Sequence, residues 1–232
     1  MAYRCIFCES NGPFLTREHI LPESLGGDDG FVMKQRAVCD KCQNYFGAKI
    51  EAISLNNYPF SLWRTFGGIR TKKGKMPFFD FFEGTLFGPD TSGMLSVAFH
   101  PFFHKALLEG RKTQMRLLAE PHDKTTVCRF LLKMAIELMH EDHIADVHDS
   151  RFRPACRFAR ACSPGSHWWF MLVEYDNDNL CRLEIADIGK KDFVFLISTG
   201  STALVVPLTE NIIPSGDLNT DTSRIRVYRC RA

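Results

Sequence analysis

The sequence predicts an α+β fold in which a small, cysteine-rich N-terminal unit precedes an α+β body with a mainly antiparallel sheet. Two Cys-x2-Cys pairs stand 30 residues apart near the start of the chain. Apolar residues then recur at three- and four-residue steps in two segments, which is typical of helices. Short alternating apolar runs later in the chain are typical of strands. These observations predict two domains, at residues 1–56 and 57–232.

The elements of the N-terminal unit follow one another closely. The first cysteine pair precedes an extended segment at 14–21. Pro22 is expected to end this segment, and the residue before a proline is held extended. A glycine-rich loop at 25–30 and a second extended segment at 31–38 lead to the second pair. A helix is predicted from Cys42 onward by the spacing of its apolar residues. The expected order is therefore knuckle, strand, loop, strand, knuckle, helix.

The body shows a longer series of elements. A helix at 124–141 has a continuous apolar face and Asp123 or Thr125 as its N-cap. The remaining segments predict a glycine-punctuated hairpin, strands, a short basic helix and further strands. In order, these are 57–75 for the hairpin, 76–105 for strands, 152–162 for the helix, and 168–175, 180–188, 193–198 and 203–208 for the later strands.

Composition excludes several classes of protein. The chain has 232 residues, a formal net charge of +2 and 45% hydrophobic residues, so contact with a polyanion requires local clusters of positive charge. No apolar run is long enough to predict a membrane span, and the N-terminus lacks the apolar core of a secretion signal. Nine cysteines, an odd number, argue against a disulfide framework and predict a reducing, cytoplasmic location.

The four paired cysteines have the spacing of a zinc site. Thiolates are soft ligands, and four of them close a tetrahedral site without an open position, so the zinc is expected to be structural. A unit this short holds too small a core to fold alone, and zinc would supply most of its folding energy. The ligands are Cys5, Cys8, Cys39 and Cys42.

Between and after the knuckles stand residues that suit phosphodiester hydrolysis. This reaction needs a base that takes a proton from water and a hard cation that neutralises charge on phosphorus. His19 suits the base. The carboxylate of Glu18 and the amide oxygen of Gln43 or Asn44 suit Mg²⁺ or Mn²⁺, since oxygen ligands are preferred by such ions.

In combination, these motifs resemble the HNH endonucleases of the branch with a four-cysteine zinc site. The similarity covers about the first 55 residues: both cysteine pairs, Arg17-Glu18-His19-Ile20-Leu21-Pro22, Leu25-Gly26-Gly27 and Phe46-Gly47. The resemblance implies a ββα-metal, treble-clef-like fold, with His19 as general base and Glu18 as metal ligand. The family has Asn or His directly after the last cysteine. This chain has Gln43 there and Asn44 one position later, and both remain candidates for the amide ligand.

Positive charge clusters near the predicted site. Arg17 precedes the Glu-His pair, and the segment 57–75 contains no acidic residue. Such residues would add salt-sensitive, sequence-independent affinity for phosphates; the alternative is an exposed hairpin with ordinary surface charges. The candidate contacts in this segment are Arg64, Arg70, Lys72, Lys73 and Lys75.

The sequence therefore predicts a cytoplasmic, metal-dependent HNH endonuclease that cuts nucleic acid, with DNA favoured. The alternative is a non-catalytic zinc-knuckle module that binds nucleic acid or protein. A third hypothesis treats the body as a sensor whose ligand, or a regulatory partner, releases nuclease activity, as would suit a defence or toxin system. A homodimer would suit efficient double-strand cleavage, because each subunit could cut one strand.

Overall fold

The computed structural model describes residues 4–71, 73–113, 119–162, 165, 167–210, 212 and 225–231, with only the backbone described at 176–181. The helices are α1 (Asp40–Phe46), α2 (Ala52–Ser54), α3 (Phe60–Phe66), α4 (Pro101–Leu108), α5 (Lys124–Glu141) and α6 (Arg153–Arg160). The strands are β1 (Phe78–Phe81), β2 (Gly84–Phe87), β3 (Ser96–Phe99), β4 (His167–Asp187), β5 (Phe193–Pro207) and β6 (Ile225–Arg231). The predicted α+β class with antiparallel sheets is confirmed.

The two extended segments of the N-terminal unit meet at one antiparallel bridge, between His19 and Val32. Two backbone hydrogen bonds flank it, from Ile20 N to Phe31 O at 2.8 Å and from Met33 N to Glu18 O at 2.9 Å. The predicted pair of longer strands is therefore reduced to a bridge. Directly after it, the chain turns at Pro22 into a 3₁₀ turn at Glu23–Leu25, which ends the pairing.

Gly27 allows this turn to fold back on the motif. A Cβ atom added there would lie 1.9 Å from the carbonyl oxygen of Leu21, closer than any side chain tolerates. Only glycine fits this close backbone approach. The Gly26-Gly27 pair is thus needed to return the chain toward the second extended segment.

Helix α1 begins immediately after Cys39 and is continued by a π-helical segment at Gly47–Glu51 and then by α2. Its first residue, Asp40, accepts hydrogen bonds through Oδ1 from the backbone N–H groups of Leu15 and Thr16, at 2.9 and 3.1 Å. This contact ties the start of the helix to the segment that carries the Glu-His pair. The predicted helix is confirmed, with a π segment that periodicity did not indicate.

The body contains two three-stranded antiparallel sheets, with strand orders β1-β2-β3 and β5-β4-β6. Helix α5 matches the predicted helix at 124–141, and its predicted cap Asp123 accepts a hydrogen bond from Thr126 N at 2.8 Å. The four late strands that were predicted separately form two long strands, β4 and β5. These two strands pair with each other, and their pairing contains register shifts.

Other elements differ from the sequence prediction. Helix α3 replaces part of the hairpin predicted at 57–75, and α4 replaces the end of the strand region. Strand β6 was not predicted. It pairs with β4 from His167 to Val173 and completes the second sheet.

One hydrophobic cluster runs from the N-terminal unit into the body. The ring of Phe60 lies 5.1 Å from that of Phe130 on α5. Arg153 on α6 donates to the carbonyl oxygen of Ile6 at 2.9 Å. The division at residue 56 stays a prediction, but side chains on its two sides pack together. No helix among the described residues is long and apolar enough to cross a membrane.

Candidate metal and catalytic site

The four knuckle cysteines converge as predicted. Their sulfur atoms all lie within 4.8 Å of one another, and three of the four residues are buried. The Sγ atoms of Cys8 and Cys39 are 3.5 Å apart. Zn–S bonds of about 2.3 Å in a tetrahedron place the sulfurs about 3.8 Å apart. The cluster fits a zinc ion, and the soft donor set favours zinc over hard cations.

A hydrogen bond between two of the cysteines favours a thiolate at Cys5. This contact with Cys42 lowers the pKa of Cys5 to about 4, whereas it raises the pKa of Cys42, and burial raises the pKa of Cys39. Arg160 on α6 donates from Nε to Cys42 Sγ at 3.3 Å, and its guanidinium lies 3.8 Å from the ring centroid of Tyr45. A cation from the body therefore lies against the metal cluster. The sequence did not predict this contact of Arg160, because its partner lies 118 positions away.

Glu18 is held by a residue far away in the sequence. Its carboxylate is mostly buried, and Oε1 lies 2.5 Å from Nζ of Lys133 on α5. Burial raises the pKa of Glu18, and the nearby ammonium acts in the opposite direction. This lysine was not a sequence candidate.

Lys133 is the centre of a buried ionic cluster. Its side chain is 0% exposed and its Nζ lies 2.8 Å from Glu51 Oε1 and 3.0 Å from Glu137 Oε2. It also donates to the carbonyl oxygen of His19 at 3.0 Å. Burial alone would lower the pKa of Lys133, but the surrounding carboxylates raise it above its usual range. The ammonium thus stays charged in the folded protein.

Glu137 is as enclosed as Lys133, at 0% exposed. Burial raises its pKa well above the ordinary range, against the attraction of Lys133. Helix α5 is buried on nearly all sides, yet it carries two charged residues four positions apart. Charged residues are rarely buried unless they are paired, so this spacing is the signal that the sequence offers for the cluster. Its partner Glu18 could not be inferred from local periodicity.

His19 sits at the boundary between interior and solvent. Its side chain is 32% exposed, and Nε2 lies 4.0 Å from Oε1 of the exposed Glu23. Nδ1 is buried and has no hydrogen-bond partner among the described residues. The ring therefore presents Nε2, rather than Nδ1, toward solvent. The bridge to Val32 fixes the backbone position from which the side chain of His19 extends.

The two amide candidates differ in their surroundings. Gln43 donates through Nε2 to the carbonyl oxygens of Val38 and Thr16, at 3.1 and 3.3 Å, and its Oε1 accepts from the Thr16 hydroxyl. It anchors the helix start beside the motif segment. Asn44, one residue later, is exposed. The Thr16 hydroxyl thus occupies one of the two acceptor positions of Gln43 Oε1.

The predicted nucleic-acid contacts are distributed unevenly. Arg17, Arg70, Lys73 and Lys75 are exposed. Arg64 is buried, with NH1 donating to the carbonyl oxygen of Leu55 at 3.2 Å. Burial lowers its pKa. Its guanidinium stabilises the end of the preceding helix and is not part of the exposed basic surface. Lys72 lies outside the described residues.

Comparison with known proteins agrees with this geometry. Residues 5–59 match the sequence profile of the HNH endonuclease family, a span that holds both cysteine pairs and the Glu18-His19 motif. No curated protein and no solved structure matches the chain. The converging thiols and this match agree, and residues 5–59 are similar to an HNH endonuclease domain.

Proposed function

We propose that the protein is a metal-dependent endonuclease that hydrolyses phosphodiester bonds, with DNA as its substrate and His19 as general base. The family match at residues 5–59 supports nuclease activity in general. The observation that carries the specific proposal is the partly exposed His19 next to Glu18, on a bridge whose preceding segment is tied through Thr16 to the first residue of α1. A rigid frame of this kind suits a catalytic group.

In the proposed reaction, Nε2 of His19 accepts a proton from water as the water oxygen attacks phosphorus. A new P–O bond forms, and the bond to the sugar oxygen breaks. The leaving oxygen then takes a proton from solvent. Neutral imidazole suits this role near neutral pH. The backbone of His19 is held by the bridge to Val32 and, at its carbonyl oxygen, by Lys133.

Glu18, with Gln43 or Asn44, is proposed to hold the catalytic Mg²⁺ or Mn²⁺. Carboxylate and carboxamide oxygens have the donor chemistry that such ions prefer. When bound, the ion supplies positive charge that stabilises the pentacovalent phosphorus and the leaving oxygen. The exposed Arg17, Arg70, Lys73 and Lys75 are proposed to contact the phosphate backbone, which predicts binding that weakens as salt rises.

Substitution of His19 by alanine tests the catalytic proposal. We expect cleavage of supercoiled plasmid to fall by about 10²- to 10⁴-fold, which is the usual contribution of a general base. Zinc content and melting temperature should stay near those of the wild type, because the ring is partly exposed. His104→Ala, an exposed histidine on α4, is the matched control.

Two results would contradict the proposal. One is a folded His19→Ala protein that cleaves at the wild-type rate. The other is a zinc-loaded wild-type protein that cuts neither DNA nor RNA with Mg²⁺, Mn²⁺ or Ni²⁺. Running the assay on supercoiled DNA, linear DNA and RNA also identifies the substrate.

The second candidate function is a zinc-knuckle module without catalysis. It is favoured by the contacts that already occupy Glu18 and Gln43. A calorimetric titration separates the two functions. A nuclease binds Mn²⁺ at a second, weaker site that Glu18→Gln abolishes, whereas a binding module takes up zinc alone. Retention of the weaker site in Glu18→Gln would remove Glu18 from the ligand set.

A further inference from the structure

Lys133 lies well beyond the family-matched segment and yet contacts its central motif twice. Its Nζ is 2.5 Å from Glu18 Oε1 and 3.0 Å from the carbonyl oxygen of His19. These are the two consecutive residues proposed as metal ligand and base. A fully buried ammonium with charge-assisted contacts has little freedom to move, so it restrains both residues at once.

The ammonium is itself fixed from two further directions. Glu51, at the end of the π segment, contacts it at 2.8 Å, and Glu137, one turn along α5, contacts it at 3.0 Å. Both acceptors belong to helices that pack in the common core. The body therefore fixes the position of Lys133, and Lys133 in turn restrains Glu18 and His19 through its contacts with them. A catalytic group held in this way stays within a fraction of an ångström of its working geometry.

We propose that Lys133 is a positioning residue of the nuclease site, which orients Glu18 through its carboxylate and His19 through its backbone carbonyl. This inference rests on the proposed function. It makes α5 part of the catalytic unit, although the family match ends at residue 59. The chemistry then requires the body for the geometry of the motif as well as for contacts with substrate.

A purely structural ion cluster would make a different prediction. In that case, any change that leaves the cluster folded would leave the rate of cleavage unchanged. If Lys133 positions the motif, loss of its ammonium lowers kcat even in a folded protein. KM should change little, because the exposed basic residues that would contact nucleic acid are untouched. Small displacements of a catalytic group can lower the rate by about 10²-fold.

The experiment compares two variants of the full chain. Glu137→Met removes one buried carboxylate but leaves the ammonium of Lys133 in contact with Glu18 and with the carbonyl oxygen of His19. Glu137→Met/Lys133→Met removes the ammonium as well and replaces the buried pair with apolar side chains of similar size, a change that folded proteins tolerate. Melting temperature, zinc content, kcat and KM are measured for both variants and for the wild type.

We expect the kcat of the double variant to be about 100-fold below that of the single variant, with similar KM. A folded, zinc-loaded double variant with kcat equal to that of the single variant overturns the positioning role. A wild-type protein without cleavage overturns the proposed function instead, and with it this inference. The wild-type measurement thus separates the two failures.

A second pair covers the case in which the double variant does not fold. Glu18→Gln and Glu18→Gln/Lys133→Met differ only in Lys133, and the latter removes one charge of each sign. Because Lys133 also holds the carbonyl oxygen of His19, its loss should still lower residual cleavage in this background, but by less than the roughly 100-fold expected when Glu18 is present. An unchanged residual rate would overturn the route through His19, and a full drop of about 100-fold would overturn the route through Glu18.

Discussion

Cys39→Ser is expected to unfold the N-terminal unit and abolish zinc binding. The cysteine lies at the start of α1 and its sulfur is 3.5 Å from that of Cys8, so its loss opens the tetrahedral site. Structural zinc contributes about 10–16 kcal/mol to the folding of small zinc units. Loss of one thiolate should remove enough of this folding free energy to unfold the N-terminal unit, because its two extended segments are paired by a single bridge.

Zinc stoichiometry, circular dichroism and limited proteolysis measure this effect. The expected result is less than one zinc per chain and new cleavage sites within residues 5–59. Cys162→Ser is the control, since this thiol is outside the cluster. Chelation of zinc from the wild type should give the same proteolysis pattern. A Cys39→Ser protein that keeps its zinc and its protection would contradict the four-thiolate site.

Lys133→Met alone is expected to destabilise the whole chain by about 3–5 kcal/mol, the usual effect of removing one partner of a buried ion pair. It leaves Glu18, Glu51 and Glu137 facing one another without the ammonium that all three contact. Urea unfolding of the variant and wild type at neutral pH measures the difference. Glu137→Met/Lys133→Met should recover much of the loss, because one of the uncompensated carboxylates has gone.

This destabilisation should depend on pH. Burial already raises the pKa of Glu18 and of Glu137 in the wild type, and removal of the ammonium raises them further. The folded variant then holds protons that the unfolded chain has released, so its stability falls as pH rises above the unfolded pKa of about 4.5. The stability difference between variant and wild type should be larger at pH 8 than at pH 5. An equal difference at both pH values would mean that the carboxylates are not the cause.

The parts of the site that sequence predicts are those encoded by short spacing. The matched Cys-x2-Cys pairs predict the zinc cluster, and Cys39 and Cys42 lie at the start of a helix. The long helix α5 and its cap Asp123 follow from periodicity and capping chemistry. Each of these features depends on residues a few positions apart, where local physics determines structure.

The parts that sequence did not predict depend on distant contacts. Lys133 and Glu18 are 115 positions apart, and neither periodicity nor a motif links them. The burial of Arg64 was also not predicted. A basic residue in a segment without acidic residues is expected to be exposed, but α3 places Arg64 against the carbonyl oxygen of Leu55. Helix α4 did carry a local signal, Pro101 at its first position, but the aromatic residues around it favoured a strand.

The wide turn between α1 and α2 makes chain length matter in this segment. A π-helical turn accommodates one residue more than a regular turn, and here it spans Gly47–Glu51. Deleting one residue from this turn would restore ordinary winding and keep Glu51 on the face of the helix that contacts Lys133. Inserting a further residue would rotate Glu51 by about 100° around the axis, away from Lys133. Single-residue deletions in the π turn should therefore be tolerated better than insertions there.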